Sequence, residues 1–312
     1  MQTAPTSSST AARLRHALAV AGAALLLAAP ALIPASGASA TPAPPGAAAS
    51  VPRSAQAATC PTTPGMPMTG NAGIADVDVN GCGGFLIACT NGTVSAYGAA
   101  TFVGDMGGRA MNSPTVAIAA TPTGRGYYLL GGDGGIFTFG DARFYGSTGA
   151  LHLNAPVVAM AVTPTGNGYW LVASDGGIFT FGDARFYGSL GNLRLNRPIV
   201  GIAGAPGGAG YTLVASDGGI FNFNTRFYGS LGAIHLNRPI IGMSPDPVTG
   251  GYTLVASDGG VFNFNAPFYG SLGASPPSAP VVGIATTPDG LGYTLVDDNS
   301  NTYSFGDAPH FA

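Results

Sequence analysis

A Gly-Tyr pair returns at Tyr127, Tyr169, Tyr211, Tyr252 and Tyr293, at steps of 42, 42, 41 and 41 residues. A fixed step of this size means one supersecondary unit copied in tandem, which restricts the chain to solenoids, propellers and related arrays. One step upstream of Tyr127 stands Phe85, after Gly84, so a divergent first copy is present. Asp-Gly-Gly returns in the same way from Asp133, Asp175, Asp217 and Asp258. It is replaced by Asn91-Gly92-Thr93 in the first copy and by Asn299-Ser300-Asn301 in the last. Six copies follow, at about 71–112, 113–154, 155–196, 197–237, 238–278 and 279–312. End copies diverge in repeat arrays because they meet different neighbours.

Each copy has strand chemistry. In the third, residues 156–164 (PVVAMAVTP) alternate large with small side chains, and residues 168–174 (GYWLVAS) alternate again. Asp175-Gly176 then reads as a two-residue type I′ hairpin turn, with positive φ at both residues. Residues 178–182 (IFTFG) make a third strand and 185–189 (RFYGS) a fourth. No segment has a 3.6-residue apolar period. The expected fold is therefore all-β, a six-bladed β-propeller of ~42-residue four-stranded repeats spanning residues 59–312. An open solenoid is the alternative. The pairs Phe137/Phe139, Phe179/Phe181, Phe221/Phe223 and Phe262/Phe264 are expected between blades, with the small Ala159, Ala161, Gly201 and Ala203 nearest the axis.

The first forty residues read as an address. Arg13, Arg15 and His16 precede an apolar run from Ala17 to Ala29, and Ala38-Ser39-Ala40 supplies a small-x-small cleavage site. This pattern is a secretory signal peptide over residues 1–40, too short in its apolar part to span a bilayer. Residues 41–58 are Ala/Pro-rich and hold almost no large apolar side chain, as a disordered linker does. No transmembrane span is expected in the mature chain.

The unit at residues 168–203 (GYWLVASDGGIFTFGDARFYGSLGNLRLNRPIVGIA) resembles a repeat family of secreted actinobacterial proteins, of DGGIFTFGDARFYGS type. The resemblance covers residues 113–308 well and 71–112 loosely. It implies a propeller-like fold, an extracellular place and a binding or structural role, with no catalytic residues.

Composition narrows the chemistry. Lys is absent, Glu is absent, charged residues are 8% of the chain and the formal net charge is −3. Nucleic acid is excluded as a partner, since it requires a basic patch. No HExxH, GxSxG, P-loop or dinucleotide fingerprint occurs, and no cofactor is expected.

Three cysteines in an exported chain point to one disulfide. Seven strand residues separate Cys82 from Cys89 by about 23 Å, beyond disulfide reach. Cys60 is therefore expected to pair with Cys82 or Cys89. Asp76-Val77-Asp78-Val79-Asn80-Gly81 matches the first half of a calcium loop, but Ile87 stands where the closing acid belongs, so no metal site is expected. The turn aspartates are explained by their turns. Arg143, Arg185 and Arg226 open the fourth segment, where charge protects an edge.

The most informative set lies on the loops between copies. His152, Arg194 and His235 share one repeat position, with Asn154, Asn196 and Asn237 two residues on, and Arg197 and Arg238 directly after. Together they are the expected ligand-binding residues, donors and acceptors repeated around one face. The lone Trp170 is expected to pack rather than to stack on a sugar. The function expected from these residues is a secreted non-catalytic binding or adhesion module, for cell-wall glycan or another extracellular polymer. The alternatives are a structural or protein–protein scaffold and, second, an extracellular hydrolase.

Overall fold

The computed structural model describes residues 74–79, as backbone, and residues 84–310. The expected signal peptide, the linker, Cys60, Asn80 and Cys82 lie outside the described residues, as do the side chains of Asp76 and Asp78.

Among the described residues, eighteen strands form six antiparallel sheets of three. The first holds β1 (Ile74–Val79), β2 (Phe85–Cys89) and β3 (Val94–Tyr97), and the second β4 (Thr115–Ala120), β5 (Gly126–Gly131) and β6 (Ile136–Gly140). The third holds β7 (Val157–Val162), β8 (Gly168–Ala173) and β9 (Ile178–Gly182), and the fourth β10 (Ile199–Gly204), β11 (Tyr211–Ala215) and β12 (Ile220–Phe223). The fifth holds β13 (Ile240–Pro245), β14 (Tyr252–Ala256) and β15 (Val261–Phe264), and the sixth β16 (Val281–Thr286), β17 (Gly292–Asp297) and β18 (Thr302–Gly306). The protein is all-β and propeller-like, one sheet per sequence copy; its single helical turn among the described residues is 3₁₀, at Pro206–Gly208.

Each first strand lies beside the first strand of the next sheet, and β1 lies beside both β4 and β16. The middle strands are buried on both sides. In β8, Trp170 and Val172 join a cluster with Tyr211 and Leu213 of the fourth sheet, whereas Tyr169 and Leu171 pack with Tyr128 and Leu130 of the second. The phenylalanine pairs lie between sheets as expected: Phe179 and Phe181 flank the cluster formed with the second sheet. Phe85 and Ile87 meet Ala285 and Val296, so the first and sixth sheets also share an apolar cluster.

Two expectations need correction. Among the described residues the fourth strand does not form. In residues 141–147 the backbone leaves its own sheet: the Arg143 N–H donates to the Tyr128 hydroxyl of the same unit, and the Tyr145 N–H to a tyrosine hydroxyl of the following unit. The Tyr169 hydroxyl accepts the Tyr145 N–H and donates to the Gly146 carbonyl. Tyr127, Tyr211, Tyr252 and Tyr293 repeat this clamp on residues 103–104, 187–188, 228–229 and 269–270, with hydroxyl-to-carbonyl distances of 2.5–2.7 Å. Glycine is required at the clamp. At Gly188, φ is 137° and an added Cβ would stand 2.6 Å from the Phe223 ring. Each of the first five copies thus contributes three strands and a strap, and the strap ties it to its neighbour.

The hairpin turn is also of another type. Only its glycine has positive φ, 77–81° at Gly134, Gly176, Gly218 and Gly259. The Gly176 N–H donates to the Ala173 carbonyl and the Ala173 N–H to the Gly177 carbonyl. This is a type I turn closed by a left-handed glycine, the three-residue hairpin loop. The aspartate in it is a local cap: Asp175 Oδ1 accepts the Gly177 N–H at 2.9 Å. Gly176→Ala is expected to destabilise by about 1–2 kcal/mol from φ alone, and by more because its Cβ would lie 2.6 Å from that of Leu190. Urea unfolding followed by circular dichroism measures it.

The change of step from 42 to 41 has a structural origin. In the second and third units Gly140-Asp141-Ala142 and Gly182-Asp183-Ala184 run from the last residue of the third strand into the strap, and Thr121 and Thr163 donate to Asp141 and Asp183 at 2.8 Å. The fourth and fifth units have only two residues there, and Asn224 and Asn265 take up positive φ of 54° and 52°. Their side-chain amides donate to the Ala209 and Thr249 carbonyls, replacing the threonine–aspartate link.

Candidate functional site

The loops that follow each strap are pinned at both ends onto the hairpin turn of the same copy. At the third copy, the Leu190 N–H donates to the Gly176 carbonyl, and the Ile199 N–H at the far end donates to the Ser174 carbonyl. The same two bonds recur with Thr148 and Val157 on Gly134 and Gly132, and with Leu231 and Ile240 on Gly218 and Ser216. Inside each loop a tight turn follows, with the Leu193 N–H on the Leu190 carbonyl at 2.7 Å. Leu190 and Leu231 are buried beneath, and Leu153, Leu195 and Leu236 are half-buried against the inter-sheet clusters. A residue at each end and one leucine in the middle therefore anchor the loop, and most of those between face outward.

The outward residues include all those expected from the sequence. His152, Asn154, Arg194, Asn196, Arg197, His235, Asn237 and Arg238 are exposed, all on loops at the same end of the sheets as the Asp-Gly turns. Their side chains make no hydrogen bond or ion pair among the described residues, so their polar groups are free for a partner. The loops themselves are held by backbone bonds and buried leucines, so ordering them costs a ligand little.

The structure adds what the sequence did not announce. Leu151, Leu193 and Ile234 stand beside the cationic position and are 59–62% exposed. Phe144, Phe186, Phe227 and Phe268, one per strap, are 57–61% exposed. The regularity of these apolar residues in the repeat is a visible signal, but strand alternation alone assigns them to an interior.

Other sequence expectations resolve locally. The turn carboxylates of Asp133, Asp175, Asp217 and Asp258 each accept a backbone N–H at 2.9–3.0 Å. Among the described residues no group of three or more His, Cys or Asp is placed to hold a metal ion. Trp170 is fully buried and its indole N–H donates to the Arg185 carbonyl at 2.8 Å, so it packs. Arg143, Arg185 and Arg226 are exposed, and the Arg226 guanidinium lies 5.4 Å from the centre of the Tyr228 ring. Cys89 is buried, and burial raises its thiol pKa. No helix among the described residues is long and apolar enough to cross a membrane.

A second concavity lies between the first strands of the second to sixth sheets, a cavity of about 780 Å³. Ile118, Met160, Ile202, Met243 and Ile284 form one row of its wall. Proline-bearing loops, including Pro164 and Pro206, and the carboxylate of Asp246 stand at the end opposite the Asp-Gly turns.

No protein-family model matches the chain, and no curated protein matches it. Among solved structures it is similar to a structural genomics protein of unknown function from Bacteroides thetaiotaomicron. The TM-score is 0.53 at 13% identity, over 75% of this chain and 69% of that one. At that identity the likeness concerns the fold alone.

Proposed function

We propose that this chain is a secreted six-bladed propeller whose turn face binds an extended extracellular polymer, cell-wall glycan first, without catalysing a reaction on it. The ring reading is supported by β1 lying beside β16 and by the Phe85, Ile87, Ala285 and Val296 cluster between the first and sixth sheets. The signal-like start and the resemblance to secreted repeats support export and a place at the wall. The observation that carries the binding reading is the same exposed, unpartnered trio on successive pinned loops: His152 or Arg194 or His235, an asparagine two residues later, and an exposed Leu or Ile just before.

A polymer with a repeated hydroxyl or carboxylate pattern engages several loops at once. The second and third contacts are then intramolecular, and avidity rises without any single strong bond. The exposed Leu151, Leu193 and Ile234 favour a second reading, in which the same face grips a protein.

Retention on insoluble peptidoglycan, with cellulose and chitin alongside, separates the two. The triple variant Arg194→Ala, His235→Ala, Arg238→Ala is expected to lower apparent affinity for peptidoglycan at least about 100-fold, since each lost guanidinium hydrogen bond is worth about 1.5–3 kcal/mol. Its melting temperature should stay unchanged, because those side chains are exposed and make no hydrogen bond or ion pair among the described residues. Unaltered retention overturns the polymer reading. Loss of retention only with Leu193→Ser and Ile234→Ser favours the protein partner.

A further inference from the structure

The cavity between the first strands plays no part in the turn-face reading. Protein interiors are normally close-packed, yet here the inner strands leave about 780 Å³ open. That lies within the range of small-molecule sites, roughly 300–1,000 Å³. Its walls are branched aliphatic side chains and two methionines, Met160 and Met243, whose flexible thioethers adapt to varied apolar shapes. Val116, Val158, Val200, Ile241 and Val282 are only half-buried, because one side of each faces this space rather than other side chains.

Among the polar residues of the lining (Thr121, Thr163, Ser244, Thr286, Thr287 and Asp246), Asp246 alone carries a carboxyl group. Asp246 is 3% exposed. Its Oδ1 accepts the Val248 and Thr249 N–H groups at 2.9 and 2.8 Å. Its Oδ2 makes no hydrogen bond among the described residues, and the side chain forms part of the cavity wall. The corresponding residues of other copies, Thr121, Thr163 and Thr287, have hydroxyls committed to nearby carboxylates. Asp246 Oδ2 is therefore the open acceptor of this side chain, and a donor brought against it makes a charge-assisted hydrogen bond. We infer that the cavity binds a small amphiphile whose hydrocarbon body lies along the inner strands and whose head donates a hydrogen bond to Asp246 Oδ2. A hydroxyl and an ammonium both satisfy this chemistry, whereas a carboxylate head is repelled.

The test uses the full chain and the uncharged fluorescent probe N-phenyl-1-naphthylamine, displaced in turn by 1-decanol, decylamine and decanoate. Saturable, one-to-one probe fluorescence is expected. Decanol or decylamine should displace it at concentrations at least about tenfold lower than decanoate, and the tighter of the two identifies the head. Asp246→Asn keeps an oxygen for the two backbone donors and should reduce the spread between decylamine and decanoate below about threefold.

A blocking variant locates the site. Gly242 lines the cavity and has no heavy atom within 4 Å of an added Cβ, so Gly242→Leu fills the space without a clash. It should weaken probe binding at least about tenfold at unchanged circular dichroism. Should that variant misfold, Val200→Phe narrows the cavity from another strand and must show the same loss. Absence of saturable binding overturns the inference, as does unchanged binding in a folded blocking variant. Equal displacement by all three heads overturns the role of Asp246. None of these results depends on polymer retention by the turn face.

Discussion

Replacing Trp170 by alanine is expected to destabilise the protein by about 3–5 kcal/mol, the range for truncating a large buried aromatic. The ring is fully buried between the third and fourth sheets, 5.7 Å from the Tyr211 ring. The cavity left behind is bounded by strands on both sides, so the neighbours have little freedom to collapse into it. Trp170→Phe should cost less, about 1–3 kcal/mol, chiefly by leaving the Arg185 carbonyl without its indole donor. Urea unfolding monitored by circular dichroism distinguishes these amounts. If the residue were a sugar platform, both variants would unfold like the parent and only binding would change.

The second large effect is an alkaline transition. Burial raises the phenol pKa of Tyr127, Tyr169, Tyr211, Tyr252 and Tyr293 above the usual value of about 10, and that of Tyr127 is pushed up to about 12. The folded state therefore holds these protons more tightly than the unfolded one. Their contribution is complete below pH 10 and is lost as pH climbs through the raised values. Each hydroxyl also donates to a strap carbonyl, so ionisation removes the donor and leaves two like-sign oxygens facing each other. Cooperative unfolding is expected between about pH 10 and 12, with tyrosinate absorbance rising in the same step as the loss of circular dichroism. Phenols that titrate near 10 with the sheets intact would contradict the clamp. Tyr211→Phe isolates one clamp: it orphans the Tyr187 N–H and the Gly188 carbonyl, and should cost about 1–3 kcal/mol at neutral pH.

How far the sequence announces this protein depends on where each bond goes. The copy number and the strand order are written in the Gly-Tyr step and in Asp-Gly-Gly, because both report bonds made within a few residues. The turn type is misread for a local reason: Asp-Gly fits two hairpin loops, and the Asp175 carboxylate bonded to the Gly177 N–H selects the longer one. The strap is not legible. RFYGS has strand composition, yet its partner is a side-chain hydroxyl 24 residues ahead, and no propensity encodes that choice. The exposed loop residues His152, Arg194 and His235 are legible as a set because repetition marks them. The cavity is invisible for the opposite reason. Alternating Val and Ala in the first strands are equally compatible with a filled axis, and only the arrangement of the sheets decides.

Phe85 stands where the other five units carry the clamping tyrosine, and a phenyl ring has no hydroxyl to give. It stacks on Tyr97 at 4.8 Å instead. In the proposed ring, five joints carry this hydroxyl bolt, and at the sixth the described residues of the first and last sheets share an apolar cluster instead of a tyrosine clamp. Mild denaturant or mechanical tension should part the circle there first, uncoiling it into an open row of intact sheets and leaving the interior modules joined.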